Sequence, residues 1–379
     1  MLLLNLILHS RISRRVIPGR LIVACAVAIT ACSGGSGGAR PPGNDASEPP
    51  VANPVAEHGQ LAVVGTQLLD QAGKPVQLKG VSSQWLNYES RTYPESKNGL
   101  AYARDHWKLS VIRAAMGTEA AGGYLSGPNG KAAMQDKVNT IIQNAIDLGI
   151  YVIVDWHTSA AVTATTTQQA DALAFFTDIA QRYGASPNVI YEPFNEPRRV
   201  TWAQIKPYHE AVVAAIRAVD PDNLIVLGTP TFSQDVDIAA QDPVAGTNLL
   251  YTLHFYACTH KQPLRDKANV ALGLGAPLFI TEFGATPADG GTPGNGDNIV
   301  CEDEANNWFS WMATNGVSGA GWKLDQCVDT SCLLDYQAPI DGPWTDDVLT
   351  SDAGGSPADA GGVKVVGGHG QFVVSWIRQ

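Results

Sequence analysis

Eight short apolar runs, spaced between residues 76 and 323 and separated by amphipathic stretches, constrain this chain more than any other feature. The candidate strands are Val76–Val81, Ser110–Ala115, Ile150–Asp155, Val189–Phe194, Leu224–Gly228, Leu249–Phe255, Leu278–Glu282 and Gly319–Lys323. Each is rich in β-branched or aromatic residues and bounded by Gly, Pro, Asn or Asp. Between them, Lys131–Leu148 sets Met134, Val138, Ile141, Ile142, Ala145 and Leu148 on one stripe of period 3.6. Thr201–Val219 does the same with Ile205, Val212, Ile216 and Val219. It opens on Thr201 with Gln204 three residues on, and Asp220-Pro221-Asp222 stops it. Eight strands, each followed by a helix, predict an α/β fold, a (β/α)8 TIM barrel with its helices outside. The 379 residues exceed the roughly 250 such a barrel needs. An open doubly wound sheet is the alternative, but Lys79-Gly80-Val81-Ser82-Ser83 is not a glycine-rich phosphate turn. LAVVG and QLLD, from about residue 60, read as a hairpin at the barrel's base. Ser351–Gly370 reads as loop and Gln371–Gln379 as a closing helix.

The first residues read differently. Arg11, Arg14, Arg15 and Arg20 precede an apolar run, Leu21–Ala31, too short to span a bilayer. That is the pattern of an export signal over residues 1–31. Ile29-Thr30-Ala31-Cys32 resembles a lipobox, in which cleavage exposes Cys32 for lipidation; ordinary cleavage would instead leave Cys32 a free thiol. Residues 32–57, rich in Gly and Ser and then Pro, read as a flexible tether to a catalytic domain over 58–379.

The net charge of −11 argues against a nucleic-acid partner and against a polybasic grip on membranes, and losing four arginines with the signal makes the balance more acidic. Membrane contact is expected only through the N-terminal anchor, and the chain is expected to be a monomer. Apart from Cys25 and Cys32, the cysteines are Cys258, Cys301, Cys327 and Cys332. An even set in an exported chain suggests two disulfides. Cys327 and Cys332 share one loop and are expected to pair, leaving Cys258 with Cys301. A zinc site finds no C-x-x-C pair and no spaced histidines to support it. No metal or organic cofactor is expected.

A barrel of this kind carries its site at the C-terminal ends of its strands. Here those ends read Arg113, Asp155-Trp156-His157, Asn195-Glu196-Pro197, His254-Phe255-Tyr256, Glu282-Phe283-Gly284 and Trp322-Lys323. Core packing does not ask for so many polar and aromatic groups on one rim. Arg113 lies between Ile112 and Ala114, so its charge needs a buried partner. Tyr256, two residues beyond His254, faces the same side of its strand. Asp155 reads as a structural hydrogen-bond acceptor. Glu196 and Glu282 end the fourth and seventh strands, and paired carboxyl groups in unlike surroundings are what glycoside hydrolysis requires.

The segments VIYEPFNEP (189–197), LFITEFG (278–284), YVIVDWH (151–157), VIRAAM (111–116) and LHFY (253–256) resemble glycoside hydrolase family 5, and most of all its bacterial endo-β-1,4-glucanases. The resemblance implies a retaining hydrolase acting on a β-1,4-glucan polysaccharide such as cellulose, with Glu196 as acid/base and Glu282 as nucleophile. It implies that Arg113 holds the nucleophile, that Asn195 binds the sugar's 2-hydroxyl, that His157, His254 and Tyr256 line the same subsite, and that Trp322 is its stacking floor. Two segments depart from it. Many of these glucanases have a His-Gly-Leu-Gln-Trp-like stretch where this chain has Gln84-Trp85-Leu86-Asn87-Tyr88. Many read Trp-Ser-Leu-Ser-Asp-Lys where it has Trp322-Lys323-Leu324-Asp325-Gln326-Cys327. Trp85 and Tyr88 are candidates for outer sugar subsites. β-Mannan, xylan or mixed-linkage glucan are alternative substrates, and a non-catalytic glycan-binding lipoprotein is a more remote reading.

Overall fold

A computed structural model describes residues 52–88, 92–119, 122–159, 166–288, 290, 299–326, 329–351 and 368–379. The expected signal, Cys32 and most of the tether lie outside them, as does Cys327. An antiparallel hairpin, β1 (Ala62–Val64) and β2 (Gln67–Leu69), comes first, turning at Gly65, whose φ of 61° suits glycine. Then β3 (Lys79–Ser83), β4 (Val111–Gly117), β5 (Tyr151–His157), β6 (Val189–Glu192), β7 (Leu224–Leu227), β8 (Leu249–Tyr256), β9 (Leu278–Gly284) and β10 (Ser318–Leu324) form a closed parallel barrel, each strand pairing with the next and β10 with β3. The helices are α1 (Pro54–His58), α2 (Lys97–Tyr102), α3 (Pro128–Leu148), α4 (Thr166–Tyr183), α5 (Trp202–Arg217), the turn α6 (Pro230–Ser233), α7 (Val236–Gln241), α8 (Gln262–Gly273), α9 (Glu302–Asn315) and α10 (Gly370–Arg378).

The stripe expected on α3 is its buried face: Met134, Val138, Ile141, Ile142, Ala145 and Leu148 all pack into the core between helices and barrel. Fully burying such a side chain contributes about 1.5–3 kcal/mol. On α5, Gln204 Oε1 accepts the Thr201 backbone N–H at 2.8 Å, the reciprocal half of a capping box. That helix ends at Arg217, so Val219 leaves the stripe and is 39% exposed at the Asp220-Pro221 turn.

The first barrel strand is Lys79–Ser83 rather than Val76–Val81. Val76 and Leu78 instead join Leu61 and Leu68 of the hairpin region in a floor under the barrel, against Val111, Tyr151, Ile153, Ile190, Leu224, Val226, Leu250 and Phe279. Their apolar character serves that plug. Helix α1 also lies within the stretch read as tether. Asn53 caps it and the Val55 N–H donates to Gly149 O at 2.9 Å, so the packed body starts earlier than residue 58.

Above the floor the barrel interior turns polar, with Ser82, Arg113, Asp155, Glu192, Thr252 and Glu282 all buried. One irregularity shapes this layer. Against β8, Phe279 pairs with Thr252 but Glu282 with His254; against β10, Ile280 pairs with Gly319 but Phe283 with Gly321. Both neighbours therefore find one extra residue in β9, a β-bulge, which breaks the in–out alternation. The Cys258–Cys301 disulfide ties the loop after β8 to the start of α9. Cys332 is also disulfide-bonded. The chain closes with α10, whose Trp376 packs on Phe283 and Phe309.

Candidate active site

Arg113 is the hub of the polar layer, with no exposed surface. A guanidinium has five N–H groups in a fixed fork. Here Nε meets Glu192 Oε2 at 2.7 Å, while Nη1 meets Ser82 Oγ at 3.2 Å and Glu282 Oε2 at 3.1 Å. Nη2 meets Asn195 Oδ1 at 2.6 Å, Asp155 Oδ2 at 2.9 Å and Glu192 Oε1 at 3.2 Å. Burial disfavours the cation, but Asp155, Glu192 and Glu282 outweigh it and raise the pKa of Arg113. One positive charge faces three carboxyl groups, and burial pushes Asp155 up to about 8 and Glu192 up to about 7.

Glu196, four residues past the end of β6, and Glu282, near the end of β9, face each other in unlike settings. Glu282 is 5% exposed, and both its oxygens accept hydrogen bonds: Oε2 from Arg113 and Oε1 from Tyr256 OH at 2.7 Å. Burial, and then Glu282 itself, raise the Tyr256 pKa, so the phenol keeps the proton it donates. The Glu196 side chain is 19% exposed; its Oε1 lies 2.9 Å from His254 Nδ1, and burial raises its pKa to about 7. Burial lowers His254 to about 4, so its imidazole is neutral. The nearest donor atoms of Glu196, Glu282 and His254 all lie within 4.8 Å of one another. Two carboxylates and an imidazole at that spacing have the chemistry to hold a cation, but here Arg113 and Tyr256 already engage both oxygens of Glu282, and the guanidinium would repel one.

The remaining groups are held in turn. Because Arg113 can only donate, Asn195 must present Oδ1 to it, which leaves the amide N–H groups to donate elsewhere. His157 Nδ1 lies 2.6 Å from Asp155 Oδ2, and burial lowers its pKa well below 6.5. Its ring is parallel to Trp322 with centroids 5.4 Å apart, and Trp85 meets it edge-on at 4.3 Å. Tyr88 follows, 5.8 Å from Trp85 and 53% exposed. Trp322, His157, Trp85 and Tyr88 thus form a continuous aromatic ledge. Glu196, His254 and Tyr256 also line a cleft of about 400 Å³ together with Phe232, Gln234, His260 and Ala288.

Over residues 69–327 the sequence matches the family model described as cellulase (glycosyl hydrolase family 5). The chain belongs to glycosyl hydrolase family 5. An endoglucanase of Clostridium saccharobutylicum is 44% identical over 302 residues, covering 77% of this chain and 63% of that one. Endoglucanase Z of Dickeya dadantii is 46% identical over 227 residues, covering 60% and 50%. The chain thus spans about half to two thirds of the length of these relatives. Among solved structures, the catalytic domain of a Thermobifida fusca endoglucanase superposes with a TM-score of 0.73 at 30% identity, covering 86% of this chain and all of that one. A second structure of that domain, at 29% identity, holds cellotetraose.

The eight substrate and catalytic positions expected of a family 5 chain, Arg113, His157, Asn195, Glu196, His254, Tyr256, Glu282 and Trp322, meet at one barrel mouth. In the segment Trp322–Cys327, which departs from the family pattern, the Lys323 side chain is buried and its Nζ pairs with Asp329 Oδ2 at 3.2 Å. Sequence reasoning passed over three residues. Glu192 and Thr281 belong to the buried layer, and the reasoning applied to Arg113, a polar group inside an apolar strand, would have found Glu192. Phe232 is 42% exposed on the turn α6, where Thr231, Phe232 and Ser233 have φ of 56°, 59° and 57°. Such left-handed backbone is costly away from glycine and persists only where its surroundings hold it. Here the Phe232 N–H donates to Pro197 O and Ser233 Oγ to Asn195 O, tying the turn to the residues flanking Glu196. No local pattern signals it.

Proposed function

We propose that this chain is an exported, retaining, endo-acting β-1,4-glucanase. The observation that carries the reading is the pair Glu196 and Glu282, with oxygens within 4.8 Å and opposite surroundings. Carboxyl groups about 5 Å apart leave no room for water between them and the sugar, which favours double displacement over inversion. Glu282, held by Arg113 and Tyr256, attacks the anomeric carbon. Glu196, protonated up to about pH 7, gives its proton to the leaving oxygen. A glycosyl–enzyme bond forms, and Glu196, now a base, activates the water that breaks it. Asn195 donates to the 2-hydroxyl of the sugar under attack, and Trp322 offers its face to the apolar C–H side of the ring. Trp85 and Tyr88 extend that floor to outer sugars, and Phe232 shares a cleft with Glu196 and His254. Each step is assigned to a side chain.

The family pair serves other β-linked polymers equally well, and the departures at Gln84–Tyr88 and Trp322–Cys327 keep β-mannan, xylan and mixed-linkage glucan as alternatives. Residues 1–31 would direct export, and Cys32, if lipidated, would anchor the domain through its tether. The test is reducing-end release from soluble β-1,4-glucan, mannan, xylan and mixed-linkage glucan, with the anomer formed first followed by NMR. Preference for β-1,4-glucan with β-product first is expected. Initial α-product would overturn retention, and release from mannan or xylan alone would move the substrate. Glu282→Gln is expected to lower kcat/KM by about 10³-fold or more. Activity within tenfold of the parent would remove Glu282 as nucleophile.

A further inference from the structure

An unbroken row of hydrogen bonds, buried from His254 onward, leads from Glu196 to the unassigned carboxyl group of Glu192. His254 Nδ1 lies 2.9 Å from Glu196 Oε1, His254 Nε2 lies 3.0 Å from Thr281 Oγ1, and Thr281 Oγ1 lies 2.7 Å from Glu192 Oε1. Thr252 Oγ1 also touches Thr281 Oγ1. Glu192, Thr252 and Thr281 are fully buried and His254 is 1% exposed. The β9 bulge makes this possible, because it turns both Thr281 and Glu282 into the barrel where regular alternation would admit one of them.

Counting protons along the row shows that its two ends are linked. Thr281 has one hydroxyl proton, and a neutral imidazole carries a proton on one nitrogen only. If Thr281 donates to Glu192, then His254 Nε2–H donates to Thr281, Nδ1 is a bare lone pair, and Glu196 must own the proton in its bond to Nδ1. If Glu196 is an anion, Nδ1–H donates to it and Thr281 donates to Nε2, with Thr252 Oγ1 donating to Thr281; the 2.7 Å contact to Glu192 is then a hydrogen bond only if Glu192 holds a proton. Passing between these states breaks the Glu196 O–H, Nε2–H and Thr281 O–H bonds. It forms Nδ1–H, a new Thr281 O–H and Glu192 O–H, so one proton moves from end to end with no other change.

We propose that Glu192 and Thr281 are positioning residues that set the tautomer of His254 and thereby keep on Glu196 the proton the leaving group needs. The choice between the two states is made by Arg113, which donates to both oxygens of Glu192 at 2.7 and 3.2 Å and favours its anion. Glu192 is faced by Arg113, Asp155, Thr281 and His254, whose Nε2 stands 4.0 Å away; Glu196 is faced by His254, Glu282, Tyr256, Arg113 and Arg198. Burial raises both carboxyl groups to about 7, and the two hydrogen bonds from Arg113 to Glu192 supply the bias between them. This inference rests on the hydrolase reading above.

The experiment compares kcat/KM for 2,4-dinitrophenyl and phenyl β-cellobioside. The first leaving group departs without protonation and the second needs it, so their ratio isolates the acid. Thr281→Val is expected to raise the ratio about tenfold or more, and Thr281→Ser to restore it. An unchanged ratio, whether overall activity falls or not, overturns the proposal, since a merely structural role would slow both substrates alike. Independently of turnover, ¹⁵N shifts of the His254 ring in the parent chain at about pH 5.5 should report Nε2–H with Nδ1 bare. Nδ1–H there overturns it as well. That measurement needs no variant, so the proposal stays open to refutation if the valine protein does not fold. Failure of the parent to cleave either glycoside would count against the hydrolase reading and leave the tautomer measurement standing.

Discussion

Glu196 and Glu282 are chemically the same side chain, and what separates their surroundings, and the roles proposed for them, is who donates to them. Glu282 receives an arginine N–H and a phenol O–H, both favouring negative charge, whereas Glu196 meets a neutral imidazole in mostly dry surroundings. Because burial raises Glu196 to about 7, its protonated form survives to neutrality and is lost above it. The kcat/KM for cello-oligosaccharides is therefore expected to fall as pH rises through about 7, by up to tenfold per unit. A pH profile flat from 6 to 9 would remove Glu196 as the acid. Both glutamates stood out in the sequence as candidates, because a carboxylate at a barrel strand's C-terminal end is seldom structural. Glu192, four residues before Glu196, was not read, although it too interrupts an apolar strand.

At the scale of elements, the C-terminal segment is pinned to the site by one buried side chain. His369 Nδ1 accepts the Ala285 N–H at 3.1 Å, so Nε2 carries the imidazole proton and donates to Trp322 O at 2.8 Å and Ser331 O at 2.9 Å. It thus joins the ends of β9 and β10 to the start of α10. His369→Ala is expected to cost about 2–4 kcal/mol near neutral pH, read by urea unfolding, because backbone groups on three segments lose their partner. Burial lowers the His369 pKa from 6.5 to about 4, so the unfolded chain binds a proton that the folded chain refuses. Its contribution is present above about 6.5 and fades as pH falls towards 4, so the cost of the substitution should shrink at about pH 5. An equal cost at both pH values would contradict this. The closing helix was legible from its amphipathic run, but the role of His369 was not. It stands in a Gly-rich stretch, and its three partners lie 38 to 84 residues away.

For the whole molecule, the barrel positions the chemistry, and the proposal that residues 1–32 direct export and anchoring is tested on the full chain. If Cys32 is the lipid attachment point, Cys32→Ala should move the protein from the membrane fraction to the soluble one; unchanged membrane retention would refute the anchor. The sequence by itself determined the barrel, because strand and helix periodicities are local and eight alternations leave few ways to bury both. It also determined which rim holds the site, since polar groups clustered at the strand ends. Only the tertiary structure decided how those groups are wired. The partners of Arg113 stand 31 to 169 residues away, and whether they meet depends on strand register and barrel closure. The β9 bulge is the clearest case: one extra residue, unmarked in LFITEFG, sets aside the alternation on which sequence reasoning relies and turns Thr281 and Glu282 inward together.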